Sequence, residues 1–253
     1  MKPKLLLIDG DLYAYLYAAA AEEGYDWGEG IHSLAADAST AFSNMSAEIK
    51  HTLVTLKADR LVVCLSDDRN FRKELVYPEY KSNRKDVRKP MVLKDLRKRM
   101  EAEFDVKTKP MLEADDVMGI MATNPKVFPE YDKIIVSRDK DMLTVPGVLW
   151  QGKFDDKGNP LLSYTSEEDA NRTHLIQTLT GDVADGYPGA RGVGPVKAKK
   201  IVEDGWKGVV KAFEKTGCEN PEQTALQQAR CARILRAEDF NYKTQEPILW
   251  VPK

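Results

Sequence analysis

Acidic residues recur in pairs and triplets where this chain of 253 residues leaves a predicted strand or enters a short loop. The five clusters hold Asp9, Asp11, Asp67, Asp68, Glu113, Asp115, Asp116, Asp139, Asp141, Asp182 and Asp185. A parallel sheet brings the carboxyl ends of its strands to one edge, where such carboxylates would repel one another strongly unless cations lay among them. The sequence therefore predicts an α/β fold with a divalent-metal site at that edge.

The chemistry of these side chains narrows the choice of metal. Carboxylates are hard oxygen ligands, and with no His or Cys among them they favour Mg²⁺ or Mn²⁺ over zinc, in a number sufficient for two ions. A single Asp at a strand end is more often a cap or turn residue, and Asp11 alone is predicted to cap a helix. Capping would explain one of the three acids in the string LEADD, not all of them, so recurrence favours the metal site.

Composition places the chain among soluble globular proteins of the cytoplasm. Hydrophobic residues make up 42% and charged residues 31%, with a net charge of −2. Three widely spaced cysteines, Cys64, Cys218 and Cys231, predict buried free thiols in a reducing compartment. The apolar run before Asp9 is too short for a signal peptide or a membrane span.

Hydrophobic periodicity predicts alternating strands and helices up to residue 141, followed by a hairpin and a helical region. Strands are predicted at residues 4–9, 60–65, 133–137, 148–151 and 161–164. Helices are predicted at residues 12–21, 34–56, after Pro90, and at 114–123, 167–180, from Pro195, and 224–236, with a glycine-bearing loop at 24–30 and an extended C-terminal tail. This pattern predicts a core at residues 1–165 and a helical region at 166–253 packed on it.

The string RGVGPVKAKKI combines a tight glycine turn with a helix start and three lysines, Lys197, Lys199 and Lys200. Such an element suits contacts with a phosphate backbone, but an ordinary helical corner with a solvated lysine face explains it about equally well. The preceding GDVADGYPG favours the phosphate interpretation because it places Asp182 and Asp185 next to this turn. The chain contains neither a Walker loop nor a dinucleotide-binding fingerprint.

A basic stretch runs from residue 71 to residue 100. A solvated helix face is predicted for Lys94, Arg97, Lys98 and Arg99. Lys81 and Arg84 differ because VYPEYKSNRK pairs them with aromatic residues, which suits gripping a phosphate or stacking on a base. The three histidines, His32, His51 and His174, are too scattered to serve a serine or cysteine nucleophile.

Six strings in this order resemble the 5′ nucleases, the family of flap endonucleases and of the 5′ nuclease domain of bacterial DNA polymerase I. They are IDGD, the strand end at Asp67, YPEYKSNR, LEADD, SRDKD and GDVADGYPGARGVGPVKAKKI. FRKELVYPEYKSNRK, KPMLEADDVMG and QARCARILR look most like the 5′ exonucleases of short-tailed podoviruses. The resemblance covers nearly the whole chain and implies a bacteriophage origin.

The resemblance implies a PIN-like parallel-sheet core, a helical arch at about residues 70–100 and a C-terminal helix–three-turn–helix element that binds DNA. It assigns one ion to Asp9, Asp67, Glu113 and Asp115, and a second to Asp116, Asp139, Asp141, Asp182 and Asp185. The choice between Asp67 and Asp68 stays open, as does the role of Asp11. Two ions about 4 Å apart would activate water and stabilise the leaving oxygen, so that no protein general base is required.

The resemblance also assigns contacts with DNA. Lys81 and Arg84 match the pair that contacts the scissile phosphate and are the expected catalytic side chains, with Tyr80 before them. The expected duplex contacts of the turn are Arg191, Gly192, Gly194, Lys197, Lys199 and Lys200, with a K⁺ ion held by its carbonyls.

The function implied is a Mg²⁺-dependent 5′ to 3′ exonuclease on duplex DNA and on the RNA strand of RNA–DNA hybrids. Its roles would be primer removal, recombination or host-DNA breakdown, as a monomer in the cytoplasm of an infected bacterium. A short basic arch threads a single-stranded flap poorly, which favours an exonuclease over a structure-specific flap endonuclease. The flap endonuclease remains the first alternative, and a non-catalytic DNA-binding module is the second.

Overall fold

The computed structural model describes residues 2–252, in which strands and helices alternate along most of the chain. The strands are β1 (Lys4–Asp9), β2 (Glu22–Asp26), β3 (His32–Ala36), β4 (Arg60–Cys64), β5 (Val106–Lys107), β6 (Asp132–Val136), β7 (Gly147–Phe154), β8 (Pro160–Thr165), β9 (Phe240–Asn241) and β10 (Glu246–Pro247). The α-helices are α1 (Gly10–Ala20), α2 (Ala38–Leu56), α3 (Leu93–Glu103), α4 (Ala114–Thr123), α5 (Glu167–Thr180), α6 (Pro195–Ile201), α7 (Gly205–Glu214) and α8 (Pro221–Ala232).

Six strands form the central sheet in the order β5-β4-β1-β6-β7-β8, with β7 and β8 antiparallel and all other neighbours parallel. Strand β1 lies between β4 and β6, so the chain leaves β1 towards one side of the sheet and later returns to the other side. Such a topological switch point opens a crevice at the carboxyl ends of the strands. The predicted α/β fold with a mainly parallel sheet is confirmed.

The two faces of the sheet are covered by different elements, because successive side chains of a strand point to opposite faces. Leu6 and Ile8 of β1 belong to a core shared with α1, α2 and α3. Leu5 and Leu7 belong to a second core shared with α4 and with the C-terminal residues Ile234, Leu235 and Phe240.

Helices α5 to α8 enclose a third core that includes Leu179, Val209 and Phe213. The residues predicted to form a helical region packed on the core therefore contribute to more than one hydrophobic cluster, since the segment after α8 returns to the sheet. The C-terminal tail packs back as predicted, with the Trp250 ring 4.9 Å from that of His174.

Two early element predictions are wrong. The predicted glycine loop is the antiparallel hairpin β2–β3, and Gly28, Glu29 and Gly30 all have positive φ values in its turn. Helix α2 begins at Ala38 and not at residue 34, because Asp37 caps it by accepting a hydrogen bond from the Ser39 amide at 2.8 Å.

Other boundaries also differ from the predictions. Asp9, not Asp11, caps α1, since its carboxylate accepts from the Leu12 amide at 3.0 Å. Helix α7 was not predicted, and α8 ends at Ala232 because Arg233 adopts an extended conformation. The segment predicted as an arch contains a π-helical turn at Arg72–Val76, a 3-10 turn at Ser82–Arg84 and helix α3, which packs against α1.

The three cysteines are free thiols, as predicted. Cys64 and Cys231 are buried free thiols, whereas Cys218 is free but only half-buried. Within residues 2–252, no helix is both long enough and apolar enough to span a bilayer.

Candidate active site

A cavity of about 290 Å³ opens at the switch point of the sheet. Six of the nine predicted metal ligands line it: Asp9, Glu113, Asp115, Asp139, Asp141 and Asp185. Tyr80, Lys81 and Arg84 line the same cavity. The fold thus brings the acid clusters and the aromatic-basic segment together, although they come from five regions of the chain.

Asp9 ends the central strand and lies at the bottom of this cavity. The Ser137 hydroxyl donates to Asp9 Oδ2 at 2.8 Å, which ties the ends of β1 and β6 together. Burial, reinforced by the charges of Asp11 and Asp139, raises the Asp9 pKa to about 6 despite these hydrogen bonds. The glycine after it is required by close packing, since a Cβ on Gly10 would lie 2.5 Å from the Val63 side chain.

The start of α4 supplies two carboxylates with opposite electrostatic environments. Burial alone would raise the Glu113 pKa, but the Lys81 ammonium and the Arg72 guanidinium outweigh it and lower that pKa to about 2. Burial and the nearby carboxylates of Asp9 and Asp139 hold the Asp115 pKa well above its ordinary value. Glu113 is therefore ionised by its cations, whereas Asp115 faces excess negative charge.

Asp139 and Asp141 lie on the 3-10 turn Lys140–Thr144 that follows β6. Burial, together with the carboxylates of Asp139 and Asp182, raises the Asp141 pKa to about 7. The Gln177 side-chain amide of α5 donates to Asp141 Oδ1 at 2.7 Å, so the helical region orients this carboxylate.

Divalent cations fit this donor set. Burial, and after it the repulsion of neighbouring carboxylates, raises the pKa values of Asp9, Asp115 and Asp141, and a bound cation would favour their ionised forms. All of the donors are hard oxygens. As the side chains stand in residues 2–252, however, no three Asp, Glu, His or Cys converge closely enough to hold an ion. The division of ligands between two ions remains a prediction.

Cationic and phenolic groups instead contact the carboxylates on one side of the cavity. Lys81 Nζ contacts Glu113 Oε1 and lies 3.5 Å from Asp185 Oδ1. Arg84 contacts the same Asp185 oxygen at 2.7 Å, and the Tyr80 hydroxyl donates to Asp185 Oδ2 at 2.7 Å. Tyr80, Lys81 and Arg84 therefore meet Asp185 directly.

The backbone fixes this contact. The Lys81 amide donates to the Asp185 carbonyl at 2.8 Å, and the Asn83 side chain donates to the Val183 carbonyl at 2.8 Å. Lys81 adopts φ +54°, a left-handed conformation that non-glycine residues rarely hold without such support. Hydrogen bonds therefore hold the YKSNR segment against the loop that contains Val183 and Asp185.

Asp116 was predicted to be a metal ligand, but the structure gives it a different set of partners. Both of its carboxylate oxygens accept from the Arg72 guanidinium at 2.7 Å, and Oδ1 also accepts from the Leu235 amide at 3.0 Å. Asp116 is fully buried and lies outside the cavity lining. We therefore omit it from the proposed ligands, because it lies outside the cavity in which the other acids meet.

Two further predicted ligands also lie outside the cavity lining. Asp67 accepts from the Met111 amide at 2.7 Å and so braces the loop before α4. Asp182 accepts from the Ala184 and Asp185 amides at 2.7 Å and 3.1 Å, which shapes its own loop. Asp11, whose role was left open, lines the cavity and accepts from the Ser66 amide at 3.0 Å.

The sequence did not identify the side chains that hold the acids in place: Ser66, Arg72, Ser137 and Gln177. Arg72 is the most consequential, since its buried guanidinium also donates to the Cys231 carbonyl at 3.0 Å and to Glu113 at 3.1 Å. Nothing in FRKELV separates it from the neighbouring Lys73, which is exposed. Such partners can be identified only from the folded structure, because they lie far along the chain from the acids that they contact.

The predicted duplex-binding turn lies between α5 and α6. Four glycines in this connection, Gly181, Gly186, Gly189 and Gly192, have positive φ values. Arg191, Gly192 and Gly194 are exposed, as are the lysines Lys197, Lys199 and Lys200. The exposure suits a contact with a large partner, but the role of this turn stays a prediction.

The fold and cavity define a class of protein: a nuclease with carboxylates and cations at the switch point of a parallel sheet. Residues 4–149 match the family model described as 5′-3′ exonuclease, N-terminal resolvase-like domain. The chain is 34% identical to the exodeoxyribonuclease of Enterobacteria phage T3, over 98% of this chain and 93% of that one. It is 33% identical to the exonuclease of Escherichia phage T7 over the same shares.

The chain therefore belongs to the 5′-3′ exonuclease family, as its motifs predicted, and is a nuclease. Its fold is similar to that of the T5 D15 protein co-crystallised with metal ions, with a TM-score of 0.65 and 15% identity. That similarity covers 89% of this chain and 88% of the other.

Proposed function

We propose that this protein is a divalent-metal-dependent 5′ to 3′ exonuclease that hydrolyses phosphodiesters from the 5′ ends of duplex DNA. The observation that carries the proposal is the cavity in which Asp9, Asp115 and Asp139 face Lys81 and Arg84. Family membership supports the reaction class, and the uncompensated carboxylates support the metal.

The proposed ligands are the cavity-lining carboxylates Asp9, Glu113, Asp115, Asp139, Asp141 and Asp185. Bound Mg²⁺, or Mn²⁺ in its place, would supply an activated water and neutralise charge on the leaving oxygen. The predicted split into two ion sites is retained without Asp116. Asp67 and Asp182 would orient the loops that carry neighbouring ligands.

Lys81 and Arg84 would bind the scissile phosphate. Both cations contact Asp185, so a phosphate that enters would exchange with this carboxylate as their partner. Cleavage concentrates negative charge on the phosphate oxygens, and cations held by the surrounding backbone stabilise that charge more than they stabilise the substrate. The Tyr80 hydroxyl, which reaches both Glu113 and Asp185, would keep these carboxylates oriented during the exchange.

An exonuclease is favoured over a flap endonuclease by the short chain between Tyr77 and Val92, which holds a single 3-10 turn. A segment of this kind covers the cavity edge but is too short to thread a long single strand. The exposed turn from Arg191 to Lys200, with a K⁺ ion at its carbonyls, would hold the duplex backbone away from the cut. We also propose that the enzyme cleaves the RNA strand of RNA–DNA hybrids. It would act as a monomer in the cytoplasm of an infected bacterium.

Cleavage of three substrates in Mg²⁺ tests the proposal: a duplex labelled at its 5′ end, the same duplex labelled at its 3′ end, and a closed circle. We expect short labelled products from the 5′ label first, with the circle intact. Products that appear first from the 3′ label would overturn the polarity, and release of an intact flap from a flapped duplex would replace the exonuclease by the flap endonuclease. DNA binding without shortening in any metal would indicate a non-catalytic module.

A further inference from the structure

A second cavity, of about 350 Å³, opens beside the candidate active site. Residues of α1, α2, the end of β6 and strand β7 line it. Leu12 lines both cavities, and Ser137, which donates to the catalytic Asp9, lines the second. A molecule in this second cavity would therefore lie next to the position of the cut phosphate.

Aromatic rings form much of its wall. Tyr13 and Tyr17 come from α1, and Trp150 and Phe154 come from β7. The Trp150 and Phe154 rings pack edge to face at 5.7 Å, with Trp150 buried and Phe154 49% exposed. A partly exposed ring braced by a buried one is a rigid surface on which a planar base can stack.

The cavity also holds a cation with no assigned task. Arg138 directly precedes Asp139, is exposed, and makes no hydrogen bond or salt bridge to any residue between 2 and 252. The polar residues on the α2 wall are Glu48, His51, Thr52 and Thr55, so an anion there would meet the Glu48 carboxylate. A phosphate is therefore favoured at Arg138 and an uncharged base against the rings.

We propose that this cavity binds a nucleoside 5′-monophosphate, the nucleotide released from the 5′ end, with its phosphate on Arg138 and its base on Phe154. The proposal rests on the proposed function, because that reaction generates this nucleotide next to the cavity. The volume falls within the range of small-ligand sites and is too small for a longer strand. Retention of the product there would make the enzyme sensitive to inhibition by its own product.

Calorimetric titration of the whole protein with 5′-dAMP in EDTA tests the site without cleavage. Loss of a charge-assisted contact in Arg138→Gln, or of a stacking surface in Phe154→Ala, should weaken binding about tenfold each. Arg99→Gln is the control for charge, and Leu161→Ala, at 49% exposure on the adjacent strand, is the control for apolar area. Both controls should bind like the parent protein.

Titrations with inorganic phosphate and with deoxyadenosine separate the two halves of the site, and each should bind more weakly than 5′-dAMP. The proposal is overturned if 5′-dAMP does not bind at millimolar concentration, if Arg138→Gln binds it like the parent, or if phosphate alone binds as tightly. Cleavage of the 5′-labelled duplex distinguishes the two ideas. Cleavage without 5′-dAMP binding would refute this site alone, whereas Arg138-dependent binding without cleavage in Mg²⁺ would refute the nuclease proposal alone.

Discussion

Lys81 is the residue for which a catalytic role can be distinguished most clearly from a general contribution of positive charge. It contacts Glu113 and Asp185 inside the cavity, whereas Lys94 carries the same charge on the exposed side of α3. Lys81→Ala should lower the single-turnover rate at saturating enzyme by about 10² to 10³, or roughly 3 to 4 kcal/mol, because it removes charge stabilisation in the transition state. Lys94→Ala should cost a few-fold at most. If both variants lose a similar, modest part of the single-turnover rate, the basic segment only attracts DNA through its charge and Lys81 is not catalytic.

Asp141 gives a pH-dependent test of the excess negative charge. Its folded-state pKa of about 7 lies above that of an unfolded aspartate, so the stability it contributes is full at low pH and is lost as pH rises through about 7. In EDTA, Asp141→Asn should therefore become more stable than the parent by about 1 to 2 kcal/mol at about pH 8, after allowance for solvent screening, with little difference at about pH 4. Urea denaturation at both pH values measures this.

Asp155→Asn is the control of opposite sign for that experiment. Hydrogen bonds from Asn159 lower the Asp155 pKa, so the substitution should bring no gain in stability as pH rises. An Asp141→Asn protein that likewise gains no stability relative to the parent as pH rises would mean that the acid cluster does not destabilise the fold in EDTA.

At the scale of single residues, the sequence predicted which acids would converge but not which would be neutralised. Asp9 and Asp116 look alike as acids beside an apolar run, yet one lines the cavity and the other is paired with Arg72. Residue type and spacing determine that an acid approaches the sheet edge. The partner contributed from more than forty residues away along the chain determines its charge environment.

The element between α5 and α6 is tested by the dependence of DNA binding on salt. Neutralising Lys197 and Lys199 together should weaken duplex binding to all sequences alike and flatten the slope of log K against log salt by about two units at most. The rate at saturating DNA should change little, because these lysines lie outside the cavity. The measurement is fluorescence anisotropy across a salt series with Ca²⁺ present, since Ca²⁺ should support binding with little turnover.

Lys207 and Lys211 are the matched control pair on the exposed side of the next helix, α7. Their double neutralisation should leave the slope close to that of the parent. If instead the slope is unchanged in the Lys197 and Lys199 variant while its saturating rate collapses, those lysines act in the chemistry and the turn is not a duplex anchor.

At the scale of elements, predictions succeeded where periodicity and end signals agreed. Helices α4 and α5 begin at the predicted residues because an acidic or serine cap precedes each, and both also end where predicted. The hairpin β2–β3 was missed because its strands are exposed on most positions and show no regular alternation of burial. Its glycines identified a turn, but periodicity alone could not supply the strands that flank it.

At the scale of the whole molecule, the C-terminal segment forms part of the wall of the active-site cavity through Cys231, Ala232 and Ile234. No local sequence pattern predicts this long-range contact. Arg72 joins Asp116 on α4 to the carbonyl of Cys231 and, through Asp116, to the amide of Leu235. The parallel sheet and its acidic edge could be predicted, because acidic residues recur at the ends of predicted strands. The contact between residues 72, 116 and 231–235 depends on long-range packing, because the segment after α8 is extended and returns beneath the sheet.

Comparison of Asp116→Asn with Asp139→Asn tests whether this buried pair is structural. Removing the Asp116 charge leaves the buried Arg72 guanidinium with Glu113, at 3.1 Å, as its remaining carboxylate partner. Asp116→Asn should therefore lower the free energy of unfolding in urea by about 3 kcal/mol. Asp139→Asn relieves repulsion in the cavity and should leave stability unchanged or slightly higher. In Mg²⁺ the Asp139 variant should cut DNA no faster than the metal-free parent, while the Asp116 variant should keep measurable cleavage under conditions in which it stays folded. An Asp116→Asn protein that is fully stable but inactive would restore Asp116 to the metal ligands and remove the structural role proposed for Arg72.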